Sequence, residues 1–250
     1  MLVLILKYLA TELRQNRMTA CRSRAKDLGE VFRLDAKAEG DTVAVGGWRS
    51  AGGERTADAK WFSVSLTRKS APWAFARREP FRAIAAIELL ASLLGLMYLV
   101  PEGEAAGESS AVLTLSCGTD NQGNSFLLDR MLTTKYPLGI VLMELAHQMR
   151  KRRLILRAKW LPRLQNEEAD ALTNLDFRHF APQNRIHVNL EDMKFGVLDQ
   201  LFAFGESYLS DLEAARTKAK EAKATDLARD PLTKKRLRAA GDTLRERDPW

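Results

Sequence analysis

Hydrophobic positions along the chain change period several times, and each change marks an element. Val31–Ala36 (VFRLDA), Val43–Arg49 (VAVGGWR) and Lys60–Thr67 (KWFSVSLT) are short runs rich in Val, Phe and Trp, separated by Gly40-Asp41 and Ala51-Gly-Gly-Glu54. Runs of this kind between glycine turns predict three sequential antiparallel strands. Pro80 then introduces an apolar stretch over 81–99 that predicts a helix, and 101–110 (PEGEAAGESS) collects breakers and acids into a loop. Ala111–Ser116 (AVLTLS) is almost continuously apolar, the pattern of a strand covered on both faces. Ser125–Thr133 and Leu138–Arg150 predict helices separated by Tyr136-Pro137. Leu154–Leu161 (LILRAKWL) sets Leu154, Leu156, Ala158 and Trp160 against Ile155, Arg157, Lys159 and Leu161, a strand with one face tending basic. A further helix begins at Glu167 and runs to Leu175.

The order βββ-α-β-α-β-α predicts an α/β domain over 31–180. Residues 1–30 remain as an N-terminal helical connection, because Leu2, Ile5, Leu6, Leu9 and Leu13 fall at helical spacing. Residues 181–250 read as a charged helical C-terminal extension in which Leu209, Leu212 and Leu227 are sparse anchors.

Composition narrows the class. With 250 residues, 46% of them hydrophobic and 28% charged, the chain is neither wholly disordered, nor collagen-like, nor a polytopic membrane protein. Two cysteines are too few for a disulfide framework or a four-cysteine zinc site, so an intracellular location, cytoplasmic or nuclear, is expected. Ala83–Val100 is long enough to rival a membrane span, but Glu88 in its middle costs about 3 kcal/mol on insertion scales, so a buried helix and no membrane are expected.

The net charge of +7 favours a polyanionic partner. Arg150, Lys151, Arg152, Arg153, Arg157, Lys159 and Arg163 form a run of seven cations with no acid between Met149 and Leu164. Phosphate contacts need such density; the plainer reading is a solvated helix end whose cations favour the helix dipole. Trp48, Trp61 and Trp73 either stack on nucleotides or, as is commoner for aromatics in strand runs, pack in the core. Lys234-Lys-Arg-Leu-Arg238 lies close to Asp230, Asp242 and Glu246 and reads as a solvated helical face.

Four carboxylates stand out from their surroundings. Asp35 ends the first strand run, Glu88 interrupts an uncharged helix, Asp120 follows the strand beginning at Ala111, and Asp170 sits early in the helix after Trp160-Leu-Pro162. Singly, Asp35 and Asp120 read as turn or strand-end caps, and Glu88 reads equally as the partner of a buried Arg. On a helix, however, Glu88 shares its face with Ala85, Ser92 and Gly95, all small, which lets that face approach a sheet. Brought together, four carboxylates would repel and require cations. Magnesium, which prefers hard oxygen ligands, is the natural candidate, and two such ions would suit phosphodiester hydrolysis.

These residues carry a resemblance. Asp35-Ala-Lys37, the strand Val43-Ala-Val-Gly-Gly-Trp48, Ile87-Glu-Leu-Leu90, Gly118-Thr-Asp-Asn121 and Pro162-Arg-Leu-Gln-Asn-Glu-Glu-Ala-Asp-Ala-Leu172 occur in the order seen in type 1 ribonuclease H domains. The chain resembles the ribonuclease H domain that follows reverse transcriptase in retrotransposon polyproteins, over about 31–178. The resemblance implies a ribonuclease H-like fold, a mixed five-stranded sheet flanked by helices. It also implies hydrolysis of the RNA strand of an RNA–DNA hybrid, leaving a 5′-phosphate and a 3′-hydroxyl. Its metal-binding acids map onto Asp35, Glu88, Asp120 and Asp170, with two Mg²⁺ ions, or Mn²⁺ in their place. Hybrid backbone binding falls to Arg150, Lys151, Arg152, Arg153, Arg157 and Lys159.

The chain departs from the family pattern in two places. Lys37 stands where many members carry a small hydroxyl residue, so that a cation there either contacts phosphate or weakens metal binding. The mobile-loop histidine of some members has no match between Trp160 and Asp170. A degenerate module that binds nucleic acid or a polymerase partner without cleaving is the alternative. No Tyr-x-Asp-Asp polymerase motif occurs, and the chain reads as the C-terminal end, or a genomic remnant, of a longer polyprotein whose reverse transcriptase part would be a partner.

Overall fold

The computed structural model describes residues 26–75, 79–100, 113–133 and 135–198, with isolated positions before 15 and between 214 and 222. Most of the expected N-terminal helix, the acidic loop 101–110 and most of the extension after 198 lie outside the described residues. The chain divides into two compact units, Met1–Ala203 and Phe204–Trp250, and every element below belongs to the first.

Five strands form one mixed sheet in the order β3-β2-β1-β4-β5. β1 (Lys26–Glu39), β2 (Thr42–Arg49) and β3 (Trp61–Leu66) are sequential and antiparallel. β4 (Leu113–Thr119) pairs parallel with β1, and β5 (Leu154–Trp160) pairs parallel with β4 at the sheet edge. The expected mixed five-stranded sheet flanked by helices is therefore what the chain forms. β1 begins at Lys26, five residues before the expected Val31, through register shifts at Asp27–Glu30 and Glu30–Phe32. Its polar opening KDLGE carries no strand pattern; backbone pairing with β4, which periodicity cannot display, holds it in the sheet.

One face of the sheet carries the main core. Helix α1 (Ile84–Tyr98), preceded by a 3-10 turn at Pro80–Ala83, lies across it with every residue from Ala86 to Leu96 buried. Pro80–Tyr98 is the one described stretch long and apolar enough to cross a membrane, and 67% of its apolar window is buried inside the fold. Helices α2 (Gln122–Arg130) and α3 (Leu138–Lys151) follow, the second amphipathic and packed between α1 and β5. α2 begins three residues before the expected Ser125 because Asn121 caps it, accepting from the Asn124 amide at 3.1 Å.

The opposite face is covered over β1, β2 and β3 by the short helix α4 (Glu167–Thr173). Trp48, Ala59, Trp61, Ala169, Leu172 and Phe180 make a second, smaller core there. Trp48, Trp61 and Trp73 are 5%, 1% and 2% exposed, so all three pack rather than offer faces to nucleotides. The packed chain continues past 180: Ile186 donates its amide to the Trp61 carbonyl at 2.7 Å, and Leu190, Phe195, Val197 and Leu198 join the main core. Glu144 on α3, wholly buried, accepts the amides of Val197 and Leu198 at 2.6 and 3.2 Å and the Gln148 side chain at 2.7 Å.

Candidate metal centre

Three elements bring their acids to one point. Asp35 lies on β1 opposite Gly46 of β2, Glu88 is one turn into α1, and Asp120 follows the last residue of β4. Each offers a carboxylate oxygen, and the three atoms lie within 4.8 Å of one another. Asp35 and Glu88 are both 6% exposed, whereas Asp120 is half-buried.

Local chemistry fixes each arm. The small face anticipated beside Glu88 is the face that meets the sheet: a Cβ on Gly95 would stand 2.8 Å from Leu34 and Phe32 side-chain atoms. Asp120 is set by the turn around it, where Thr119 Oγ1 accepts the Asn121 amide at 3.1 Å and Trp160 Nε1 donates to the Asp120 carbonyl at 3.0 Å. Asn124 Nδ2 donates to the Ala85 carbonyl at 3.2 Å, tying α2 to the start of α1 three residues before Glu88. Asn166, buried at the entry to α4, donates through Nδ2 to the Leu34 carbonyl at 2.8 Å, beside Asp35.

Asp170, the fourth expected acid, is near the cluster but engaged elsewhere. Its Oδ1 accepts from Arg163 Nη2 at 2.7 Å and its Oδ2 from Asn174 Nδ2 at 2.8 Å. Asn174 Oδ1 in turn accepts from Lys37 Nζ at 2.9 Å, and Lys37 also pairs with Glu39 at 3.0 Å. The lysine noted as a departure thus lies along Asp170's support. Arg163 stands out in the sequence only as a member of the basic run, and Thr173 and Asn174 do not stand out by residue type. The +3 and +4 spacing of Thr173 and Asn174 from Asp170 on α4 is the signal that finds them.

Burial, then the neighbouring charges of Asp120 and Asp170, push the Asp35 carboxyl up to about 6 from 3.8, although a hydrogen bond from Thr173 opposes the shift. Glu88 is raised well above the usual range by burial and by Asp35 and Asp120. Burial raises Asp120 as well, while Arg163 pulls it down. Such a set disfavours its own ionised form, and a cation is what relieves it. Glu88 Oε2 is buried with no hydrogen-bond partner, as a ligand atom awaiting a cation would be. Three hard oxygen donors suit Mg²⁺ or Mn²⁺, so this cluster is able to hold a divalent ion.

The basic run divides on folding. Lys151, Arg153, Arg157 and Lys159 are exposed, and Arg150 and Arg152 are half-buried, with Arg152 donating to Gln148 Oε1. β5 leads its exposed Ile155, Arg157 and Lys159 toward Trp160, 48% exposed beside Asp120.

No family model and no curated protein matches this chain. Among solved structures, the chain is similar to RNase H1 from the halophilic archaeon Halobacterium salinarum NRC-1, at 17% sequence identity and a TM-score of 0.39, covering 60% of this chain and 97% of that one.

Proposed function

We propose that this chain is a divalent-metal-dependent nuclease that hydrolyses the RNA strand of RNA–DNA hybrids. The observation that carries the reading is the convergence of Asp35, Glu88 and Asp120 within 4.8 Å at the junction of β1, α1 and β4. When bound, Mg²⁺ ions supply an activated water and stabilise the leaving oxygen of a phosphodiester, and Mn²⁺ substitutes for them. Asp35, Glu88 and Asp120 would hold the cations, and Asp170 would join them on release from Arg163 and Asn174. Arg163, 2.7 Å from Asp170, is placed to meet the negative charge of an arriving strand. Arg157 and Lys159, with Lys151 and Arg153 at the start of the strand, form the backbone track leading to Asp120. An intracellular setting and an origin downstream of reverse transcriptase in a retrotransposon polyprotein, with that polymerase as partner, belong to the same proposal.

The test is cleavage of a labelled hybrid by the purified chain with Mg²⁺, beside EDTA, double-stranded DNA and Asp120→Asn. Expected is metal-dependent cutting of the RNA strand alone, abolished in the variant with its circular dichroism unchanged, because the amide removes ligand charge at similar volume. A second reading is a module that binds hybrids without cutting them, favoured by the engagement of Asp170 with Arg163 and Asn174. Hybrid binding with no cleavage in any divalent metal selects it.

A further inference from the structure

We propose that Thr173 is a positioning residue for the cation site, its hydroxyl fixing the orientation in which Asp35 meets Glu88 and Asp120. The inference rests on the metal-binding part of the reading above. Thr173 ends α4 and is 1% exposed, with Oγ1 2.7 Å from Asp35 Oδ2 and 2.9 Å from the main-chain carbonyl of Asp170. A hydroxyl has one proton to give, and an ionised carboxylate at the shorter distance is the stronger acceptor. One oxygen of Asp35 is thereby committed to the helix, and the carboxylate keeps one rotation about its stem.

The contact is part of a two-point tie between the last turn of α4 and β1. Thr173 reaches residue 35, and Asn174 reaches Lys37 of β1 at 2.9 Å while holding Asp170. Gly46 permits the approach: a Cβ there would stand 2.7 Å from Leu172 Cβ and 3.3 Å from the Thr173 amide nitrogen. Serine at 173 would keep the donor, whereas valine would fill the same space without it.

The decisive experiment is Mn²⁺ titration of the full chain by electron paramagnetic resonance, for wild type, Thr173→Val and Thr173→Ser, with thermal melts alongside. Loss of an outer-shell partner weakens metal binding by roughly 10- to 100-fold, so the valine variant is expected to fall in that range while serine stays near wild type. Wild-type affinity in the valine variant, or equal losses in both variants, overturns the assignment. If the valine variant does not fold, Thr173→Ala replaces it: serine binding more tightly than alanine is expected, and equal affinities overturn the assignment. A wild-type chain that binds no Mn²⁺ overturns the metal site and this inference together. Mn²⁺ binding without hybrid cleavage removes the nuclease reading and leaves Thr173 to be judged on affinity alone.

Discussion

Asp35 binds a proton more tightly in the folded chain than in the unfolded one, since its carboxyl is held up to about 6 against 3.8, chiefly by burial. Stability from this group is therefore fully present below pH 3.8 and is lost as pH rises through about 6. The difference amounts to about 3 kcal/mol for the metal-free chain. Asp35→Asn removes the titration. The variant is expected to melt higher than wild type at pH 7 without metal, with the gap closing toward pH 4, as calorimetry across that range would record. Under the proposed metal site, Mg²⁺ should reverse the balance, raising the melting temperature of wild type at pH 7 by binding only the folded state and leaving Asp35→Asn nearly unmoved.

At the scale of elements, the site depends on how closely α1 and α4 approach the two faces of the sheet. Gly46→Ala would press its methyl on Leu172 Cβ at 2.7 Å and on the main chain of α4 at 3.3 Å, which rotamer changes cannot relieve. Overpacking of this kind costs about 1–3 kcal/mol in denaturant unfolding, and displacing α4 from β1 should also weaken Mn²⁺ binding. Glu144 serves α3 in another way, accepting the Gln148 side chain and the amides of Val197 and Leu198 at the end of the described chain. Glu144→Ala leaves those two buried amides without their acceptor, at a cost of about 2–5 kcal/mol. Limited proteolysis should then cut first around residues 190–198 while hybrid cleavage, measured below the unfolding temperature, persists.

Across the whole molecule, the net charge of +7 matters through where folding puts it. Arg152 is half-buried and donates to Gln148, so replacing it would disturb α3 as well as the surface. Arg157 and Lys159 are exposed on the edge strand and are the cleaner probes. Their joint replacement by Ala should lower hybrid affinity and reduce the slope of log K against log salt by about 0.9 for each phosphate no longer neutralised. An unchanged slope in a filter-binding series would mean that the hybrid does not run along β5.

Much of this protein is legible along the chain. The glycine-bounded Val, Phe and Trp runs announce β1, β2 and β3, and the alternation of Leu154 and Leu156 with Ile155 and Arg157 announces a strand with one basic face, because side chains on a strand alternate whatever lies around it. Glu88 stands out because a charge within an apolar helix needs a reason, and its small neighbours mark the face that meets the sheet. The opening of β1 at Lys26 does not stand out, because its polar residues are held by pairing with β4 rather than by burial of a pattern. Tertiary structure alone decided which acids meet: Asp35, Glu88 and Asp120 are 53 and 32 residues apart and converge only because β1 and β4 are neighbours beneath α1. It alone gave Asp170 to Arg163 and Asn174, and Asp35 to Thr173 across 138 residues. Periodicity reports how one segment meets its surroundings, whereas a hydrogen bond between distant segments depends on the placement of both, which packing of the whole domain sets.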